Sequence, residues 1–128
     1  MSIKVLLVDD EPDILYVISF RLGKAGFDVI TAANGADALA VVDKEEPDVV
    51  LLDVMMPGMD GFEVCKEMKK NHAKLKIIIY TAKVDGVNTA KARECKADDF
   101  TVKTADLKYI FESINQLVGD ENPSKEKA

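Results

Sequence analysis

The chain has 128 residues, 48% of them apolar and 31% charged, and a formal net charge of −6. That is the size of a single domain able to bury a core without disulfide or metal staples. The acidic balance argues against broad contact with phosphate backbones and offers no attraction to anionic membranes, so neither direct nucleic-acid binding nor membrane binding is expected.

Met1-Ser2-Ile3-Lys4 leads, without a visible signal peptide, into the apolar run Val5-Leu6-Leu7-Val8. That run ends abruptly in Asp9-Asp10-Glu11, the pattern of a central strand buried on both faces with acids at its C-terminal end. Pro12 suits the first turn of a helix that carries Ile14, Leu15, Ile18 and Leu22 at helical spacing and stops at Gly26. Val29-Ile30-Thr31-Ala32 predicts a second strand. Asn34 can cap the next helix, which carries Ala36, Leu39 and Ala40 and ends before Pro47. Asp48-Val49-Val50-Leu51-Leu52 predicts a third strand, closed by Asp53. Pro57-Gly58 is turn chemistry, and Asp60 can cap a helix with Phe62, Cys65 and Met68 facing inward.

Lys76 to Tyr80 predicts a fourth strand ending at Thr81. The helix after it has the faintest pattern, with Val87, Ala90 and Cys95 as inner candidates. Phe100-Thr101-Val102 predicts a short fifth strand ending at Lys103. Asp106 can cap a last helix striped by Leu107, Ile110, Phe111, Ile114, Leu117 and Val118. Residues 1–119 therefore read as one domain, and the polar stretch 120–128 as a frayed tail or the start of a linker. No apolar run approaches the ~20 residues that span a bilayer. Cys65 and Cys95 lack any CxxC or companion histidine motif and read as reduced, partly buried thiols. That fits a cytoplasmic setting. His72 reads as a solvated surface residue, and Met55, Met56 and Met59 as loop packing.

Apolar strands alternating with helices imply an α/β fold. The expected form is flavodoxin-like and doubly wound: a five-stranded parallel sheet of order 2-1-3-4-5 with helices on both faces. In such sheets ligands bind beyond the carboxyl ends of the strands. Asp9, Asp10, Asp53, Thr81 and Lys103 all stand at that edge. Taken singly, each is ordinarily a helix cap, a strand residue or a solvated side chain. Together they place three carboxylates, a hydroxyl and an ammonium in one place. Crowded carboxylates repel, and a hard cation such as Mg²⁺ relieves them. A cation, a lysine and a hydroxyl around one carboxylate are the parts needed to move a phosphoryl group onto it.

On these residues the sequence resembles the receiver domains of bacterial and archaeal two-component response regulators. The resemblance is carried by Val5 to Pro12, Asp48 to Gly61, Thr81-Ala82, and Asp98-Asp99-Phe100 with Lys103. It implies a phosphorylation-activated signalling switch rather than an enzyme with a separate substrate. Asp53 would accept a phosphoryl group from a sensor histidine kinase or phosphotransfer protein. Asp10, Asp53 and the Met55 carbonyl would hold Mg²⁺, with Asp9 acting mainly through bound water. Lys103 would pair with Asp53 or its phosphoryl group. Thr81 would swing toward that group and Phe100 follow, changing the surface of the last two helices and last strand for a downstream protein target. The resemblance implies a monomer or a weak phosphorylation-dependent dimer. Ser113 stands where many DNA-binding relatives carry an arginine used for dimerisation.

Some residues depart from the family pattern. Thr104 follows Lys103 where proline joined by a cis bond is usual; a cis bond before threonine costs roughly 3–4 kcal/mol, so trans is expected. Lys96 stands where glycine is usual, so that helix end is expected to differ. Phe100 replaces the commoner tyrosine. Met55 and Lys83 occupy places that tune phosphoryl lifetime. Three other readings compete with this one. A dehalogenase-type phosphatase needs a second acid at Met55. An FMN binder needs a neutral loop where Asp9-Asp10-Glu11 stands. A degenerate receiver would dock partners without chemistry.

Overall fold

The computed structural model describes residues 2–58, 60–82, 85–103 and 107–119. Five strands alternate with five helices: β1 (Lys4–Val8), α1 (Pro12–Lys24), β2 (Asp28–Ala32), α2 (Gly35–Glu45), β3 (Val49–Leu52), α3 (Gly61–Asn71), β4 (Lys76–Thr81), α4 (Gly86–Glu94), β5 (Asp99–Val102) and α5 (Leu107–Gly119). The strands form one parallel sheet of order β2-β1-β3-β4-β5, the expected doubly wound arrangement.

The uninterrupted apolar runs occupy the middle of the sheet because both of its faces are covered. Val5, Leu7, Leu51, Ile78 and Tyr80 pack with Ile18, Leu22, Ile110 and Ile114 of α1 and α5. Leu6, Val8, Val50, Leu52, Ile77 and Ile79 pack on the other face with Ala38, Val42, Cys65, Met68, Ala92 and Cys95, which come from α2, α3 and the α4 region. The alternation along each strand thus splits one hydrophobic sequence into two cores.

Local chemistry ends the helices as expected in most places. Pro12 opens α1, and Gly26, at φ 99, follows its last turn. Asn34 accepts the Asp37 N–H at 2.8 Å, and Asp60 accepts the Phe62 N–H at 2.9 Å. Gly61 matters for another reason: a Cβ there would lie 2.3 Å from the Val54 Cα, so only glycine lets α3 start this close to the loop after β3. Thr104 and Asp106, with their expected trans bond and helix cap, lie outside the described residues, as do Met59, Lys83 and the segment 120–128.

Several expectations need correction. The inward residues of α2 are Ala38 and Val42, with Leu39 half-buried, while Ala36 and Ala40 face solvent. In α4 the inner residue is Ala92, whereas Val87 and Ala90 are exposed. Lys96 does not change the helix end. It takes φ 65, its N–H bonds the Arg93 carbonyl, and the Ala97 N–H bonds the Ala92 carbonyl. That is the pattern glycine usually completes, here carried by a lysine at a left-handed position. His72 is a cap residue of α3 at the surface, as expected, and its ring nitrogen lies 2.8 Å from Asp43 Oδ1 of α2 in an exposed contact. Cys65 and Cys95 are free and fully buried, and their thiols adjoin: Cys65 Sγ lies 3.4 Å from the Cys95 carbonyl. The hydrogen bond to Cys95, then burial, pushes the Cys65 thiol well up, so it stays protonated. Of the loop methionines, Met56 is buried but Met55 is exposed.

Candidate functional site

The register explains how the polar residues meet. Val8 pairs with Leu52, Leu52 with Ile79, and Thr81 with Val102. The residues that follow these ends therefore gather at one edge of the sheet. Asp9, Asp10 and Asp53 present carboxylate oxygens within 4.8 Å of one another, close enough to share one cation. Asp9 and Asp53 are buried, with relative exposures of 0% and 1%, while Asp10 faces outward at the mouth. Thr81 is fully buried beside them, and its carbonyl accepts the Lys103 N–H at 2.7 Å.

Lys103 is the hub. Its ammonium lies 2.9 Å from Asp9 Oδ2, 2.9 Å from Asp53 Oδ2 and 3.2 Å from Glu11 Oε1. Burial alone would lower its pKa, but the bonds to Asp53 and Asp9 outweigh that and push it up, so the lysine is charged. Asp53 is pushed the other way from comfort: burial raises its carboxyl above the ordinary value of 3.8 despite the nearby Lys103 ammonium and the Met55 N–H. One ammonium cannot satisfy this many acids in a desolvated place. The Met55 N–H donates to Asp53 Oδ1 at 2.9 Å. Asp53 Oδ2 is buried and faces the ammonium, yet receives no well-directed hydrogen bond. Oxygen donors, excess negative charge and a buried carboxylate oxygen held only by a shared ion pair together fit a hard divalent cation such as Mg²⁺.

Residues 5–115 match the response regulator receiver domain family. The chain belongs to that family. Solved receiver structures superpose along most of it. A CheY-like receiver domain protein of Methanospirillum hungatei JF-1 is 25% identical, with a TM-score of 0.89 over 99% of this chain and 98% of its own. Chemotaxis protein CheY4 of Vibrio cholerae is 30% identical, with a TM-score of 0.85 over 91% of this chain and 99% of its own. The BeF3-activated N-terminal receiver domain of RstA from Klebsiella pneumoniae is also 30% identical, with a TM-score of 0.84 over 90% of this chain and 97% of its own.

In this receiver domain the structure brings together Asp9, Asp10, Asp53, Met55, Thr81 and Lys103. Phe100 is set apart on β5, half-buried against the core shared by α2, α3 and α4. Its neighbours on the motif are structural. Asp98 Oδ2 accepts the Ile77 N–H at 2.8 Å and Lys69 Nζ at 2.7 Å, at the far end of β4. Asp99 accepts the Tyr109 hydroxyl at 3.1 Å and the Ser113 hydroxyl at 2.5 Å, tying β5 to α5. Two site contacts escaped sequence reasoning. Glu11 reaches Lys103 from a position that looked like a loop acid. Tyr80 sends its hydroxyl to Asp9 Oδ2 at 2.6 Å. A tyrosine inside an otherwise apolar strand was the available signal, because a buried phenol requires a partner. Among the described residues, no helix is long and apolar enough to cross a membrane.

Proposed function

We propose that this receiver domain is a Mg²⁺-dependent switch phosphorylated on Asp53 by a sensor histidine kinase or phosphotransfer protein, in a cytoplasmic setting. The observation that carries the reading is the buried Asp53 carboxylate, whose Oδ2 lacks a directed hydrogen bond while a charged lysine stands 2.9 Å away. The Met55 N–H fixes Oδ1, leaving Oδ2 to attack phosphorus. The bond from phosphorus to the donor imidazole nitrogen breaks as the bond to Oδ2 forms, and the released imidazole takes up a proton.

Asp10 and Asp53 side chains and the Met55 carbonyl would hold Mg²⁺, with Asp9 acting through bound water. When bound, the ion supplies positive charge to the oxygens of the transferring group. Lys103 follows the charge, moving its ammonium from the carboxylates to a phosphoryl oxygen. Phosphorylation adds about −1.5 to −2 charge and three acceptor oxygens. A hydroxyl on Thr81 that turns toward them rewards one arrangement of the chain after β4. Phe100 then repacks, and the surface of α4, β5 and α5 changes for a downstream protein. The domain itself promotes both transfer and later hydrolysis, acts as a monomer or weak phosphorylation-dependent dimer, and touches neither nucleic acid nor membrane directly.

Intact-mass spectrometry after incubation with acetyl phosphate tests this. One added phosphoryl group that requires both Mg²⁺ and Asp53, and is absent in Asp53→Asn, is the expected result. No adduct, repeated with a phosphohistidine donor, together with no Mg²⁺ binding, would leave a docking module with the fold but not the chemistry.

A further inference from the structure

Tyr80 is fully buried near the end of β4, and its hydroxyl donates to Asp9 Oδ2 at 2.6 Å. Asp9 has two other partners. Its Oδ1 accepts the Glu11 N–H at 2.9 Å, and its Oδ2 faces Lys103 Nζ at 2.9 Å. These partners differ in kind. The Tyr80 ring is locked between the sheet and the helices α1 and α5, and the Glu11 amide belongs to the backbone. Lys103 sits beyond the end of β5 on a flexible stem, its ammonium shared among Asp9, Asp53 and Glu11. The same ammonium lies 5.5 Å from the centre of the Tyr80 ring, whose face gives a cation a favourable surface.

A buried carboxylate that loses its ion-pair partner becomes strongly unfavourable. A cation reached only through water offsets that cost in part, so Lys103 leaves Asp9 for a new anion on Asp53 most readily where a direct donor also holds Asp9. We infer that Tyr80 is that holder. It is a positioning residue whose hydroxyl stays on Asp9 throughout the cycle, so that Lys103 is released to the phosphoryl group without stranding a buried charge. This inference rests on the function proposed above. It also gives Asp9 a reason to act on a cation through water: both of its oxygens already accept hydrogen bonds from fixed groups. The phenol places the positive end of a dipole against the acidic cluster, so it lowers the demand of that cluster for a cation.

Tyr80→Phe keeps the ring and removes the hydroxyl. Mg²⁺ titration by calorimetry, without any phosphodonor, is expected to show affinity rising on the order of threefold or more, since a charged hydrogen bond is replaced by cation binding. The same substitution in an Asp9→Asn background is expected to change nothing further, because the effect runs through Asp9. Unchanged affinity in Tyr80→Phe, or an equal change in the Asp9→Asn background, overturns the inference. No Mg²⁺ binding by the native chain overturns instead the function on which it rests. Should Tyr80→Phe fail to fold, the native chain decides by proton NMR. A slowly exchanging Tyr80 hydroxyl proton that persists when Mg²⁺ and beryllium fluoride are added supports a permanent partner. Its disappearance on that addition overturns the idea.

Discussion

Replacing Lys103 by methionine keeps the length and apolar stem of the side chain but removes the ammonium that faces Asp9 and Asp53, each at 2.9 Å. Both acids are buried, and taking one partner from a buried ion pair costs about 3–5 kcal/mol. Asp10 is exposed at the mouth, so water reaches part of the cluster and the lower end applies, about 3 kcal/mol. Urea unfolding at neutral pH without divalent cations should show a lower midpoint with unchanged slope. The deficit should shrink on acidification. Burial already holds the Asp53 carboxyl above its ordinary value, and loss of the lysine raises it further, so a proton replaces the missing charge. It should also shrink with Mg²⁺, because the variant lacks the competing ammonium and so binds the ion more tightly than the native chain does, by about 1.4 kcal/mol for each tenfold difference in Kd. The alkaline side carries its own sign. The raised pKa of Lys103 contributes stability that is fully present below the ordinary lysine value of 10.5 and is lost as pH rises through the folded value. The native chain should lose stability there and Lys103→Met should lack that limb. Equal midpoints for native and variant at neutral pH without Mg²⁺ would refute the electrostatic account of this site.

Asp53→Asn should stabilise the cation-free protein by about 1 kcal/mol at neutral pH, because it removes a buried charge that Lys103 satisfies only in part. A carboxyl with a raised folded pKa penalises folding above its unfolded value, so native stability without Mg²⁺ should fall as pH rises from 3.8 through the raised value. Asp53→Asn should flatten that limb in urea titrations across pH. Gly61→Ala should destabilise by about 3 kcal/mol, since the new Cβ would lie 2.3 Å from backbone that cannot easily move; thermal unfolding reads it. Lys96→Gly should stabilise by roughly 0.5–1 kcal/mol by relieving a left-handed lysine, less the extra freedom glycine gives the unfolded chain; the same assay should show a higher midpoint.

The fold was legible wherever hydrophobicity ran without interruption. Val5 to Val8, Val49 to Leu52 and Ile77 to Tyr80 are too apolar for a solvated face, which places them centrally in a sheet covered on both sides. The acids that close the first and third strands were legible as a cluster because strand ends in such a sheet share an edge. What failed had weak or non-periodic signals. The helix α4 buries Ala92, and small residues carry little pattern, so Val87 and Ala90 are exposed against expectation while Cys95 at its end is buried as expected. The meeting of Cys65 with Cys95 and of His72 with Asp43 depends on how α2, α3 and α4 lean together, which local spacing does not encode. Lys96 shows a tertiary demand overriding a local preference: the turn into β5 requires a left-handed residue, and the chain bears the strain. Tyr80 was visible as a tyrosine, but its partner lies 71 residues away.

The bonds of Asp99 divide the sheet edge into unequal parts. Its carboxylate takes hydroxyls from both Tyr109 and Ser113, so α5 cannot slide along β5 without abandoning charged hydrogen bonds worth about 1.5–3 kcal/mol each. On the opposite side, α4 is held mainly by Ala92 and the capping Cys95. In mechanical terms β5 and α5 form one stiff leaf and α4 a slack one, with Phe100 lying at the hinge between them. A displacement that begins at Thr81 therefore finds its compliance in α4, and hydrogen exchange should show α4 amides opening well before those of α5.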